Sequence, residues 1–177
     1  METDNKEKIT VQFNTNISED DTDIRIAFYA NIGFFIEIAQ MLEFNLRKLI
    51  CYHKSVTEIE ATEITKENVE KICKSYDDYY DETYKAKHTL GRLTEGLRKV
   101  QVIDSKILDR FSEINKYRNQ VVHMIFQNNI IVDKLKSSIY VFDYNQNRLI
   151  PMIKITEATN NFVIQMINSL KKSLQIV

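Results

Sequence analysis

The chain has 177 residues, a formal net charge of −1, and only three glycines, one proline and no tryptophan. That length suits one domain with a core that needs neither metal nor disulfide. So few turn formers exclude an all-β or doubly wound fold, and the charge balance gives no global pull toward nucleic acid.

Residues 1–17 begin polar and then alternate through Ile9, Val11 and Phe13, which predicts an extended N-terminal arm or short strand. Ser18, with Asp21 three residues on, has the spacing of a helix cap, and the acids from Glu19 to Asp23 suit a helix N-terminus. A long helix follows to about Lys54. Its seam is Phe28, Ile32, Phe35, Ala39, Leu42, Leu46 and Leu49, at alternating four- and three-residue steps. Ile24, Phe34, Ile38 and Met41 widen the apolar face, so this helix is expected at the centre of the fold or at a dimer interface. Gly33 marks either a bend or a close approach of another backbone. Glu43 and Arg47 have the spacing of a surface ion pair.

Residues 55–65 are rich in threonine and β-branched side chains and are expected to form a linker. Thr65 is the expected cap of a second helix with Val69, Ile72, Cys73, Tyr76, Tyr79 and Tyr80 inward. Thr89-Leu90-Gly91 interrupts it, and Leu93, Leu97 and Val100 mark a short third helix. Asp104 is the expected cap of a fourth, at about 105–128, with Ile107, Phe111, Ile114, Val121 and Ile125 on its seam. Residues 139–153 alternate on either side of Asn145-Gln146-Asn147, which predicts a small β-hairpin with Pro151 on an edge strand. Thr156 would then cap a last helix with Val163, Ile167, Leu170 and Leu174 inward. The expected architecture is all-α, an up-and-down bundle of four to five helices carrying this C-terminal hairpin, and residues 1–177 form a single domain.

The fourth helix carries the one stretch with chemical promise, Tyr117-Arg118-Asn119-Gln120-Val121-Val122-His123. Arg118 falls on the apolar seam, where a guanidinium needs a reason. An arginine fork grips a phosphate, and a histidine near neutral pH exchanges protons with a hydroxyl or a leaving oxygen. Those are the parts for cleaving RNA through its own 2′-hydroxyl. On an unbroken α-helix, however, residues five apart lie roughly 140° around the axis from each other. Arg118 and His123 therefore make a poor phosphate site on one helix alone, and a second surface has to close the groove. The competing reading is a surface or interface arginine beside an ordinary histidine, because the pattern is short.

Other candidates are weaker. Glu37 and Glu43 read as surface glutamates, although either would meet Arg118 if the helices pack side by side. His53 and His88 have no partner at metal-ligand spacing. Asp77-Asp78-Tyr79-Tyr80-Asp81-Glu82 lacks the glycine and spacing of a calcium loop. Arg92, Arg98, Lys99, Arg110 and Lys116 form either a local basic rim for RNA or scattered surface charge. Cys51 and Cys73 form no metal-binding pair, no phosphate loop is present, and no cofactor is expected. Two isolated thiols without a leader fit a reducing cytoplasm, and no apolar run approaches the ~20 residues of a membrane span.

The Arg118-Asn119-x₃-His123 pattern, late in a helical bundle, resembles the signature of the HEPN superfamily. The resemblance takes in the long first helix with Glu43 and Leu46, and Thr89-Leu90-Gly91-Arg92-Leu93. It covers about residues 24–128; the hairpin and last helix lie outside it. It implies a metal-independent endoribonuclease of defence or toxin–antitoxin type, acting as a homodimer that joins two motifs across a cleft. Arg118 would then hold and polarise the phosphate, His123 would be the general base or acid, and Asn119 would orient the histidine or the RNA. An antitoxin or a nucleotidyltransferase is the implied protein partner. Some toxin families carry a tyrosine two residues after the histidine, where this chain has Ile125, so the resemblance does not extend to that group. Other members of the superfamily are non-catalytic binding modules, and a dimeric helical scaffold is a third reading.

Overall fold

The computed structural model describes residues 19–59, 65–100, 103–125 and 133–174. The Ser18 cap and the Ile9–Phe13 arm lie outside them. The described residues are helical throughout their regular structure: α1 (Glu19–Ile59), α2 (Lys66–Lys85), α3 (Leu90–Val100), α4 (Ser105–Asn119), α5 (Ser138–Tyr144) and α6 (Ile150–Ser173). A π-helical turn, Gln120–Met124, extends α4, and a second, Asn145–Leu149, joins α5 to α6 without a break.

Helix α1 is the central element and packs on every other helix. Its whole expected seam from Phe28 to Leu49 is buried, and Ile38 widens it. Phe34 and Met41 do not. With Ile26, Tyr29 and Phe44 they stay exposed on the outer face of α1. The helix continues unbroken through Gly33, and nothing lies within 4 Å of the place a Cβ would take. It also continues beyond Lys54 to Ile59, so part of the expected linker is helix. Ser55 shows why: it is fully buried, and its hydroxyl returns a hydrogen bond to the Cys51 carbonyl at 2.8 Å. By length and composition Asp21–Thr57 is apolar enough to cross a membrane, contrary to the sequence reading. A third of its most apolar window is buried inside the bundle, where its seam forms the core.

Pairwise contacts set the directions. Tyr52 stacks on Tyr76 and Phe44 meets Tyr80 edge-on, so α2 runs antiparallel to α1. Glu43 meets Leu90 and Ile50 faces Gly96, so α3 runs parallel to it. Gly91 lies against Asn115, which makes α3 and α4 an antiparallel hairpin. Asn31 bonds Asn145 at 2.9 Å and Asn45 bonds Asn160 at 2.8 Å, so α5 and α6 run parallel to α1. Helices α1 to α4 alternate up and down, and α5 and α6 follow one another parallel to α1. The caps at Thr65, accepting from the Asn68 N–H at 3.2 Å, and at Asp104, accepting from the Lys106 N–H at 2.7 Å, stand where the sequence puts them.

The β-hairpin over 139–153 is wrong: the segment is helix. Val141, Asn145, Leu149, Met152, Ile153 and Thr156 are buried along one helical face, a spacing that the local alternation masked. The polar Asn145-Gln146-Asn147 is no turn, because Asn145 is buried and satisfied by Asn31. Pro151 sits just after the π turn. There the widened backbone tolerates a residue that has no N–H to give to the helix ladder. Thr156 is no cap either. It is fully buried in mid-helix, and its hydroxyl bonds back to the Met152 carbonyl at 2.7 Å.

Candidate nucleic-acid site

The motif helix is positioned by its neighbours before Arg118 is reached. Asp104 sets its start, and Leu108, Phe111, Ile114 and Tyr117 are buried. The Tyr117 ring meets Phe35 of α1 edge-on at 5.2 Å between centroids, and its hydroxyl donates to the Tyr144 hydroxyl at 3.2 Å. Burial and that hydrogen bond push the Tyr117 phenol far above its ordinary range, so it stays neutral and acts as an anchor. Arg118 is turned about 100° from Tyr117. It therefore leaves the core for the crevice between α1 and α3.

There it meets Glu43. Arg118 Nη1 lies 3.9 Å from Glu43 Oε2, and both side chains are less than a quarter exposed. The same carboxylate oxygen accepts the Leu90 N–H at 3.1 Å, capping the start of α3 from another helix. The other oxygen, Oε1, lies 3.8 Å from Arg47 Nη2. Arg47 is buried, donates to the His88 carbonyl at 3.1 Å and lies over the rings of Tyr80 and Tyr84. One carboxylate thus faces two guanidiniums and a helix N-terminus, and the cluster keeps an excess of positive charge. The Nε atoms of Arg118 and Arg47 are buried without a hydrogen-bond partner among the described residues. The cluster offers an approaching anion uncancelled positive charge.

Glu43 and Arg47 do pair as the sequence suggests, but not on the surface. The sequence favoured an ordinary surface glutamate at Glu43, and the packing of α3 and α4 on α1 overturns that. Glu37, by contrast, is exposed. The residue the sequence did not place is Leu90, whose backbone N–H completes the cluster. The signal was weak: a helix start at Thr89-Leu90 that takes its cap from Glu43, 47 residues earlier in the chain.

His123 and Asn119 are exposed. His123 stands in the π turn, where the Ile125 N–H donates to the Gln120 carbonyl at 3.0 Å. A turn closed over five residues advances less per residue than an α-turn. It therefore narrows the roughly 140° that an unbroken helix would set between Arg118 and His123. The two sit on one continuous helix, and no hydrogen bond joins their side chains among the described residues. Within those residues no group of three or more His, Cys, Asp or Glu side chains gathers to hold a metal ion. Comparison of the chain with protein-family models, with curated proteins and with solved structures finds no match in any of the three.

Proposed function

We propose that this chain is a metal-independent endoribonuclease of HEPN type. It would act as a cytoplasmic homodimer in prokaryotic defence or toxin–antitoxin biology, with an antitoxin or a nucleotidyltransferase as its natural protein partner. One observation carries the reading. Arg118 is held in a half-buried cluster whose positive charge exceeds its negative charge, and an exposed histidine stands five residues on in a widened helical turn. In the reaction the RNA 2′-oxygen attacks the adjacent phosphorus, and the bond from phosphorus to the 5′-oxygen breaks. His123 accepts the 2′-hydroxyl proton or protonates the departing 5′-oxygen. Arg118 stabilises the charge that builds on the phosphate, and Asn119 orients the histidine or the RNA. The second protomer closes the groove that one helix leaves open.

A second reading rests on the Arg118–Glu43 contact itself: Arg118 is a strut tying α4 to α1, and the protein is a non-catalytic binding module or scaffold. Structured RNA incubated with the purified protein in EDTA separates the two. The nuclease reading expects cleavage that disappears in both Arg118→Ala and His123→Ala while the His123→Ala melting temperature stays unchanged. Intact RNA with the wild-type protein across varied substrates would decide for the binding module.

A further inference from the structure

A groove of about 590 Å³ lies where α1, the end of α2 and α3 meet, within the size range of small-ligand clefts, about 300–1,000 Å³. Its charged and polar wall is Lys54, Thr83, His88, Arg92, Glu95 and Lys99. Three lysine and arginine side chains therefore face one acid, in a chain whose net charge is −1. That acid is already neutralised, since Arg98 Nη1 bonds Glu95 Oε1 at 3.1 Å. Arg92 and Lys99 make no ion pair among the described residues, and both are exposed. His88 is half-buried on a backbone pinned at both ends: its N–H donates to the Thr83 carbonyl at 3.2 Å and its carbonyl accepts from Arg47 at 3.1 Å.

The glycines of α3 shape this groove. A Cβ at Gly91 would meet Asn115 Nδ2 at 3.1 Å, and one at Gly96 would meet Ile50 Cδ1 at 3.4 Å. At Gly91 an added Cβ would press on the Asn115 side chain, at Gly96 it would make only ordinary contact, and at both positions the groove wall is backbone. Gly91 also ties the groove to the motif. A Cβ built there would meet Asn115, one helical turn before Asn119, and its neighbour Leu90 is the residue capped by Glu43.

We propose that this groove is a phosphate-binding site, with Arg92 and Lys99 as its principal cations, Lys54 at its rim and His88 as a wall donor. The phosphates are those of an RNA strand leading to Arg118 or those of a free nucleotide. As an RNA track the site rests on the nuclease reading; as a phosphate site it stands without it.

The test is fluorescence anisotropy of the full chain with a labelled 2′-O-methyl RNA ten-mer, which cannot be cleaved, with ATP as competitor. Wild type should bind the ten-mer. Arg92→Glu/Lys99→Glu should bind at least tenfold more weakly, Arg92→Gln/Lys99→Gln severalfold more weakly, and Lys71→Glu, a charge reversal on the α2 surface, within twofold of wild type. The slope of log affinity against log salt should shrink by about 1.4 in the Glu double variant, two lost contacts at about 0.7 each for a single strand. Displacement by ATP at its own measured affinity assigns a nucleotide. Displacement only by longer RNA assigns a strand. Either supports the site. No binding of either probe at low salt, an unchanged double variant, or an equal loss in Lys71→Glu would overturn it. A protein that binds through the groove yet never cleaves RNA sinks the nuclease reading alone. One that cleaves with the same KM in the double variant sinks the RNA track alone, and the ATP competition then decides whether the groove is a nucleotide site.

Discussion

Whether Arg118 is free to serve a substrate is a question of how strongly Glu43 holds it, and a double-mutant cycle measures that. Glu43→Gln removes the charge and keeps an acceptor for the Leu90 N–H; Arg118→Gln removes the guanidinium. At 3.9 Å and an effective dielectric near 20, the gross attraction is roughly 4 kcal/mol. Both side chains keep a little over a fifth of their surface in solvent, and Glu43 divides its charge with Arg47 at 3.8 Å. Solvent screening and sharing cut the net coupling to about 1 kcal/mol. Urea unfolding of the four proteins at pH 7 reads it directly. Glu43→Gln should cost more than Arg118→Gln, because it also leaves buried Arg47 without its counter-charge. A coupling above about 3 kcal/mol would make Arg118 a structural strut and refute its substrate role. A coupling indistinguishable from zero would refute the cluster itself.

Other expectations follow from the core and its polar pairs. Phe111→Ala, at a fully buried position, should lose about 3–5 kcal/mol in the same urea assay; a loss under 1 would mean that α4 is not packed on α1 as described. Asn145→Leu strands the Asn31 amide and should cost about 1–2 kcal/mol, part of it recovered in the Asn31→Leu/Asn145→Leu double variant; no recovery would mean the amides do not pair. Burial pushes the Cys51 thiol up from 9.0 to about 11, so the folded state keeps a proton that the unfolded chain releases first. Stability from this group is complete below pH 9 and lost as pH rises toward 11, about 1 kcal/mol by pH 10. Cys51→Ala should flatten the stability profile between pH 9 and 10, and an unchanged slope would contradict the assignment.

Much of the bundle is written in local pattern. The α1 seam from Phe28 to Leu49, the caps at Thr65 and Asp104 and the break before α3 were all legible. Each depends on residues within a turn or two of one another, where helical period and capping chemistry act. Residues 139–153 misled for the same reason. Over a short window, apolar runs around an Asn-rich stretch fit a hairpin as well as a helix, and only the Asn31 partner and the face of α1 decide between them.

The motif divides the same way. Its residue types and their spacing on a late helix come from the sequence alone, and so does the expectation that one helix cannot hold a phosphate. What only the tertiary structure decided is where Arg118 points and what surrounds it. Glu43, Arg47 and the Leu90 N–H come from positions far from it in the chain, and α1 and α3 bring them into one crevice. The π turn at Gln120–Met124 likewise resets the angle of His123 in a stretch the sequence reads as plain helix. Electrostatic environment depends on distances in space, and those are set by how the helices pack.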